Sequence, residues 1–382
     1  MNKVRLGIIG LGNMGQIHAR YLREGRVRRC ELMAVADAVP ERLAAFRDLK
    51  TFTRSEDLIR SGAVDAVLIA TPHYSHTTIG IDALQQGLHV LVEKPISVHK
   101  ADAERLIAAH TNKSQVFAAM FMQRTDPHYK EIKRLIQEEL GEIRRTNWII
   151  TDWFRPEAYY ASGGWRATWK GEGGGVLLNQ CPHNLDLFQW LCGMPRRVRA
   201  FAALGKCHNI EVEDEVTAYL EYPNGATGVF VASTGEAPGT NRLEIAGDRG
   251  KLVLEEGKIT FLRTAVPVSR FLKECPESFA KPEVERVEVP VEGKGGQHVE
   301  ITQNFVDAIL DGVPLIAPAE EGIHSVELAN AMLYSHFTGQ TVELPLDAAA
   351  YERLLQELIA NSRFEKKAGG SAPAADMAKS FQ

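Results

Sequence analysis

The stretch Val4-Arg5-Leu6-Gly7-Ile8-Ile9-Gly10-Leu11-Gly12-Asn13-Met14-Gly15 decides how this chain folds. Its first half is a short apolar run suited to a buried strand, and its second half is G-x-G-x-x-G. The glycine pattern alone is common. Here it follows a strand directly and opens a helix, expected over Gln16–Arg23, which is the setting its mechanism needs. Gly10 allows the tight turn, Gly12 lets backbone approach a diphosphate, and Gly15 permits close packing of helix on strand. Phosphate oxygens would then meet the unpaired N–H groups at the positive end of the helix.

Outward from this turn, Leu32–Ala36, Asp65–Ala70, Leu88–Val92 and Gln115–Met120 are further strand candidates. Helical patterns at Pro40–Leu49, 77–86 and 99–111 separate them. Runs apolar on both faces that alternate with helices predict a parallel sheet covered on each side. Asp37 ends the second strand, 22 residues after Gly15. A carboxylate there accepts from both adenosine ribose hydroxyls and repels a 2′-phosphate, so NAD is expected over NADP. Arg42, close by, is the residue that could turn toward such a phosphate.

The pattern changes near Asp126, and from about residue 143 onward the segments alternate with period two. Val216–Tyr222, Pro223-Asn224-Gly225 and Ala226–Ser233 read as a hairpin with a type I′ turn. Tight turns follow at Asp248-Arg249-Gly250 and Glu256-Gly257-Lys258, and helical patterns return at 298–311, 320–337 and 347–363. At 382 residues the chain exceeds what one core usually supports. The expected division is a Rossmann-type, doubly wound α/β region over 1–123 and an α+β region on a largely antiparallel open sheet over 124–364. Residues 365–382, rich in Gly, Ser, Ala and Lys, have the composition of a disordered tail.

A net charge of −5 gives no broad attraction for nucleic acid or an anionic membrane. Arg23, Arg26, Arg28 and Arg29 cluster without interleaved aromatics and read as a solvated helix end. No apolar stretch reaches membrane-spanning length, and the opening apolar run is too short for a signal segment. The five cysteines, Cys30, Cys181, Cys192, Cys207 and Cys275, show no metal or disulfide spacing, which suits a reduced cytoplasmic setting. Of His73, His76, His89 and His99, none forms a ligand pair with a carboxylate on one helical face. No metal is expected.

Glu93-Lys94-Pro95 follows the apolar run Leu88–Val92, where a doubly wound sheet places its ligands outside the strand ends. Taken with the glycine turn, Ala70-Thr71-Pro72, His76 and Gly87-Leu-His-Val-Leu-Val-Glu-Lys-Pro95, the chain resembles the Gfo/Idh/MocA oxidoreductases. The resemblance runs on through Trp165-Arg166, Gly173-Gly174-Gly175, His183-Asn-Leu-Asp186 and Asn304–Gly312. It implies that Gly10, Gly12, Asn13 and Met14 line the pyrophosphate and Asp37 the ribose. Thr71, Pro72, His76, Glu93 and Lys94 would border the cofactor, although His76 could equally cap a helix. Trp165 and Arg166 would reach the nicotinamide end from the second region, with Gln123 at the junction a further candidate. Homodimers or homotetramers through the C-terminal sheet are implied as well.

Related dehydrogenases often carry Asp-x-x-x-His, and here Asn179 takes the carboxylate position before His183. An amide cannot hold an imidazolium by charge, but it can orient the ring or bind a substrate hydroxyl. Pro182 suits the first turn of a helix, with Asn179 just ahead of it and both Asn179 and His183 facing the cleft. His183 is expected as general base with a near-neutral pKa, and Lys94 as the donor polarising the reacting oxygen. A positive nicotinamide nearby should lower the pKa of Lys94, and the two residues could exchange roles.

All five tryptophans lie between Trp148 and Trp190, and flat apolar faces beside polar groups suit a sugar or cyclitol ring. A packed interface would use them equally well. Arg155, Tyr159 and Arg166 are the candidates for hydroxyl contacts, and the glycines at 173–175 would let backbone pass close to the ring or the nicotinamide. The function expected is hydride transfer between a ring CH–OH and NAD. The alternatives are an NAD-dependent glycoside hydrolase using transient ring oxidation, against which Lys94 argues, and a non-catalytic NAD-sensing regulator.

Overall fold

The computed structural model describes residues 2–162 and 164–365, so the expected tail lies, but for Glu365, outside the described residues. The first region runs β1 (Val4–Ile9), α1 (Asn13–Arg23), β2 (Cys30–Ala36), α2 (Pro40–Leu43), β3 (Lys50–Phe52), α3 (Ser55–Ile59), β4 (Ala66–Ile69), α4 (His73–Gln85), β5 (His89–Val92), α5 (Lys100–Ala109) and β6 (Phe117–Ala119). Its six strands form one parallel sheet in the order β3-β2-β1-β4-β5-β6. Strand order reverses between β1 and β4, which opens a crevice at their carboxyl ends. The strand missed in the sequence, β3, is a partly exposed edge of three residues with no apolar run to mark it. The single helix expected over Pro40–Leu49 is instead α2 and a separate 3-10 turn at Ala44–Phe46.

The second region runs α6 (Pro127–Leu135), β7 (Ile143–Ile150), α7 (Glu157–Ala161), α8 (Pro182–Cys192), β8 (Arg197–Leu204), β9 (Glu213–Glu221), β10 (Thr227–Ser233), β11 (Asn241–Gly247), β12 (Gly250–Glu255), β13 (Lys258–Thr264), α9 (Val268–Glu274), β14 (Val284–Val289), α10 (Gln297–Asp311), α11 (Gly322–Thr338), β15 (Val342–Glu343) and α12 (Ala348–Asn361). The sheet has nine strands in the order β14-β13-β12-β11-β7-β10-β9-β8-β15. Among the described residues, only β7 and β10 of this sheet pair in parallel. On β9, Val216, Ala218 and Leu220 point inward while Thr217 and Tyr219 point out, the alternation of a sheet covered on one face.

The β9–β10 turn departs from the type I′ expectation. Pro223 fixes a negative φ at the first central position, so a turn needing two positive φ angles cannot form there. Gly225 N donates to the Tyr222 carbonyl at 3.0 Å and Gly225 alone takes positive φ, +85°, giving a three-residue loop. The two-residue loop with both angles positive is Glu256-Gly257, at +49° and +69°.

The chain then returns to the first region. Ile301, Phe305 and Val306 of α10, with Val326 of α11, are buried in the same core as β1 and β4, while Leu328 and Met332 further along α11 join the second core. A buried pair, Lys100 Nζ to Glu327 Oε1 at 2.8 Å, ties α5 to α11.

Candidate active site

At the glycine turn, each glycine has a distinct environment. A Cβ on Gly10 would lie 2.6 Å from the Ala70 carbonyl oxygen, and one on Gly15 would lie 1.9 Å from that of Gly10. A Cβ on Gly12 would meet nothing within 4 Å. The middle glycine therefore faces open space at the head of α1, the place where a diphosphate would need to approach. Asn13 and Met14 begin the helix beneath it.

Asp37 follows β2, nearly buried. Its carboxylate accepts from Leu11 N at 2.6 Å and Val39 N at 2.8 Å, and Arg42 Nη1 approaches it at 3.3 Å. A carboxylate has about four acceptor positions, so capacity for ribose hydroxyls remains. Arg42, half-exposed, is turned toward Asp37 and not away from it.

Around the ends of β4 and β5 the expected residues separate into different tasks. Thr71 Oγ1 is buried without a hydrogen-bond partner among the described residues. Pro72 caps α4, the helix that carries His76. His76 has its ring nitrogens 2.8 Å from the Pro95 and Thr71 carbonyl oxygens, so it braces two strand-end loops and both nitrogens are engaged within the protein. Glu93 is buried at the end of β5 and pairs with α1. Its carboxylate sits 2.7 Å from His18 Nε2 on α1; burial pushes its pKa up, but His18, with His298 and Lys94, outweighs this and brings it down to about 2. His18 in turn meets Tyr21 Oη at 2.8 Å, and Tyr21 meets Thr302 of α10 at 2.7 Å. Sequence reasoning missed this network. The signal was two polar residues, three apart, on the buried face of α1.

Lys94 reaches across to the second region, where its Nζ donates to the Asn179 carbonyl at 2.8 Å. Its pKa is lowered, chiefly by burial, with Glu93 and Glu172 pulling the other way. Burial is thus already sufficient to depress it without the nicotinamide charge invoked from the sequence. His183 lies in the first turn of α8, which starts at Pro182 with Cys181 in the cap position expected for Asn179. Its ring meets the edge of Phe121 at 6.2 Å, and its Nδ1 has no partner among the described residues. The near-neutral pKa expected for His183 is not what this environment gives. Burial, then the charge of Lys94, pushes it well below the usual range, so the ring stays neutral. Helix α8 is held by a buried pair, with Arg124 donating to both oxygens of Asp186 at 2.8 and 2.6 Å.

Among the described residues no hydrogen bond joins the Asn179 side chain to the His183 ring. Its Oδ1 accepts from Tyr159 Oη at 3.1 Å, and its Nδ2 donates to Glu172. Tyr159 also receives hydrogen bonds from Arg166 Nη1 at 2.6 Å and Gln180 Nε2 at 3.1 Å. The Arg155 and Arg166 guanidiniums lie 5.2 and 4.4 Å from its ring centre, and Arg166 also lies 4.9 Å from that of Trp165. Trp165 packs edge-on against His73 at 5.6 Å, bringing the second region onto α4. Of the five tryptophans, Trp148 and Trp169 are core residues, so the packing role accounts for them.

The glycines at 173–175 have a packing role that the sequence reading did not include. Added Cβ atoms would strike Val98 Cγ1 at 2.1 Å from Gly173 and the Glu213 carbonyl oxygen at 1.9 Å from Gly175. They let this loop pack closely against the protein. Between them and Trp165 sits Glu172, 1% exposed, which the sequence reading passed over although a carboxylate inside a glycine run was its visible signal.

The histidine reading also needs correction. His99, just before α5, and Asp102 in its first turn do form a pair, Nε2 to Oδ2 at 3.3 Å, joined by Glu352 of α12 at 4.0 Å. Arg105 bonds both carboxylates and supplies the balancing charge.

The fit to a dinucleotide rests on more than the glycine turn. Buried polar groups are nearly always satisfied. Thr71 Oγ1, His73 Nδ1, Gln123 Oε1, Gln180 Oε1 and His183 Nδ1 all lack protein partners among the described residues. A ligand rich in hydroxyl and amide groups would satisfy them.

A parallel sheet with this turn at its switch point, closed by an open-sheet region that brings histidine and lysine together, defines an NAD(P)-dependent oxidoreductase of Rossmann type. Residues 4–121 match the model of the oxidoreductase family with an NAD-binding Rossmann fold, and residues 129–253 match the GFO/IDH/MocA C-terminal domain. Between them these matches take in well over half the chain, which belongs to the GFO/IDH/MocA family. It is 31% identical over 195 residues to the rhizopine catabolism protein MocA of Rhizobium meliloti, spanning 50% of this chain and 58% of that protein. To myo-inositol 2-dehydrogenase of Thermotoga maritima it is 25% identical over 270 residues, 67% of this chain and 77% of the relative. Among solved structures, it is similar to the WlbA dehydrogenase of Chromobacterium violaceum in complex with NADH and UDP-GlcNAcA. That likeness has a TM-score of 0.78 at 27% identity and covers 91% of this chain and 97% of the other.

Proposed function

We propose that this protein oxidises a ring CH–OH of a sugar or cyclitol, with NAD as hydride acceptor. The observation that carries the reading is the reach of Lys94 Nζ from the end of β5 to the Asn179 carbonyl, one turn before His183. That contact supports a crevice shared by the end of β5 and the start of α8, into which the two proton-handling groups would project. The bound nicotinamide supplies the hydride acceptor. Lys94 holds the reacting hydroxyl by its oxygen and stabilises the negative charge that grows there. His183, kept neutral, takes the hydroxyl proton; in the reverse direction it returns it. Tyr159, Arg155, Arg166 and Asn179 orient the remaining hydroxyls, and Trp165 offers an apolar face.

Asp37 favours NAD over NADP by repelling a 2′-phosphate, and its own contact with Arg42 draws that cation away from such a role. We take residues 1–123 as the cofactor region and 124–364 as the substrate and oligomerisation region. Two copies would pair through the outer sheet face, where Ile149, Phe201 and Tyr219 are 37, 61 and 45% exposed. Five free cysteines suit the reducing cytoplasm. The relatives named for rhizopine and inositol, and the neighbour holding NADH with a nucleotide sugar, support a polyhydroxylated substrate.

The test is a panel of inositols, aldoses and glycosides assayed with NAD and NADP separately. NADH formation that requires a ring hydroxyl is expected. Glycoside cleavage without net NADH, or cofactor binding without turnover of any polyol, would overturn the reading.

A further inference from the structure

Gln180, one residue beyond Asn179, is 5% exposed, and its Oε1 has no partner among the described residues. A chain of hydrogen bonds that starts at Glu172 decides which end of this amide is left over. A carboxylate only accepts, an amide nitrogen only donates, and a phenol has a single proton to give. Glu172, with Arg166 Nη1 beside it at 4.0 Å, accepts from Ala167 N at 2.6 Å and from Asn179 Nδ2. Asn179 therefore turns its Oδ1 toward Tyr159, and Tyr159 donates its one proton there at 3.1 Å. The Tyr159 oxygen is left able only to accept, and it does so from Arg166 Nη1 at 2.6 Å and Gln180 Nε2 at 3.1 Å. Turning the Gln180 amide over would set oxygen against oxygen. Its Oε1 is fixed as a buried acceptor.

We propose that Gln180 is a specificity-determining residue whose Oε1 accepts a hydrogen bond from a second ring hydroxyl of the substrate, not the one oxidised. This role deepens the ring-oxidising reading and rests on it. Buried polar groups are nearly always paired, and an acceptor left without a donor is costly, so the bound state must supply one. The residues that hold Gln180 in place, Tyr159 with Asn179 and Arg166 behind it, all belong to the second region. The Asn179 carbonyl, adjacent in the chain, receives Lys94 Nζ at 2.8 Å, so a polyol whose reacting oxygen meets Lys94 brings its other hydroxyls to this cluster. With its proton given and its oxygen already accepting, Tyr159 acts on the substrate through Gln180. The selected chemistry follows. A hydroxyl or an amino group at this point donates, whereas a deoxy carbon, a fluorine or an ether oxygen has no proton to give.

The test is a cycle between residue and substrate group. Inositols and aldoses, with their monodeoxy and monodeoxyfluoro analogues, are titrated into the NADH complex by calorimetry, and kcat/KM with NAD is measured for those turned over. At one ring carbon other than the reacting one, loss of the hydroxyl should weaken binding to the wild type at least about tenfold, and fluorine should not restore it. Gln180→Met keeps the length of the side chain and removes the acceptor. In that variant the penalty at this carbon should shrink to within about twofold, while the penalties at other carbons persist. A folded Gln180→Met that discriminates as the wild type does would overturn the proposal, and so would binding of no panel member. If the variant does not fold, crystal structures of the wild type with NADH, with and without the tightest-binding polyol, decide. A polyol oxygen within about 3.2 Å of Gln180 Oε1 supports the proposal; a water or the nicotinamide amide in that place overturns it. Discriminating binding without turnover of any polyol would defeat the oxidation reading and leave the role of Gln180 standing. Turnover whose discrimination Gln180→Met does not change would do the reverse.

Discussion

Glu213 of β9 shows how far a single residue can shape the whole stability curve. It is fully buried behind Gly175, with Oε1 accepting from Leu177 N at 3.0 Å, while Oε2 and the buried Tyr351 hydroxyl have no partners among the described residues. Burial pushes its pKa up to about 7. In the unfolded chain a glutamate titrates near 4.5, so between those values the native state holds the extra proton. Stability must therefore fall as pH rises from about 4.5 to about 7 and level off above, a loss of about 3 kcal/mol from this group alone. Glu213→Gln keeps the acceptor for Leu177 and removes the titration. Its melting temperature should exceed wild type at pH 8 and match it near pH 4.5; melting curves that stay parallel across that range would contradict the assignment. None of this was legible in the sequence, where a Glu-Asp-Glu run looks solvated and only the fold turns Glu213 inward. The same holds for Glu172 and Asn179, which meet because the loop between Trp165 and Gly175 folds back on itself. By contrast, the position of Asp37 at the end of β2 was readable because spacing along one strand–helix unit fixes where it stands.

At the scale of elements, the glycine turn and the helix it opens make separable predictions. Gly12 has φ −67° and open space beyond it, so Gly12→Ala should leave the melting temperature almost unchanged. The added methyl group would stand where a diphosphate approaches, and NADH affinity, measured by fluorescence titration, should fall at least about tenfold. Gly15→Ala drives a Cβ into the Gly10 carbonyl and should cost at least about 2 kcal/mol of stability. A Gly12→Ala variant that melts early yet binds NADH normally would reverse this assignment. Most elements of the parallel sheet were visible in the sequence because each is a local run with a local period. The errors came where local reading omits a constraint. Pro223 excluded the type I′ turn, and the edge strand β3 has too few apolar residues to announce itself.

For the whole molecule, the outer face of the nine-stranded sheet and the crevice between the two regions are the surfaces on which the proposed function depends. If two copies pair through that face, Phe201→Glu with Tyr219→Glu should convert a dimer or tetramer into monomer in light scattering at unchanged helical signal. An oligomer that survives both changes would place the interface elsewhere. That the chain divides into a dinucleotide-binding region and an open-sheet region was legible from the change of period near Asp126. That α10 returns to complete the first core was not, because apolar helical spacing does not say which sheet it will cover. The account as a whole depends on Lys94 and His183 sharing one proton-transfer step at a bound dinucleotide. The most direct measurement compares wild type with the Lys94→Ala/His183→Ala double variant, following NADH formation on a reactive polyol and NADH binding in parallel. The account predicts binding within about threefold of wild type and turnover reduced by at least about a thousandfold. Turnover that persists in the double variant would contradict it.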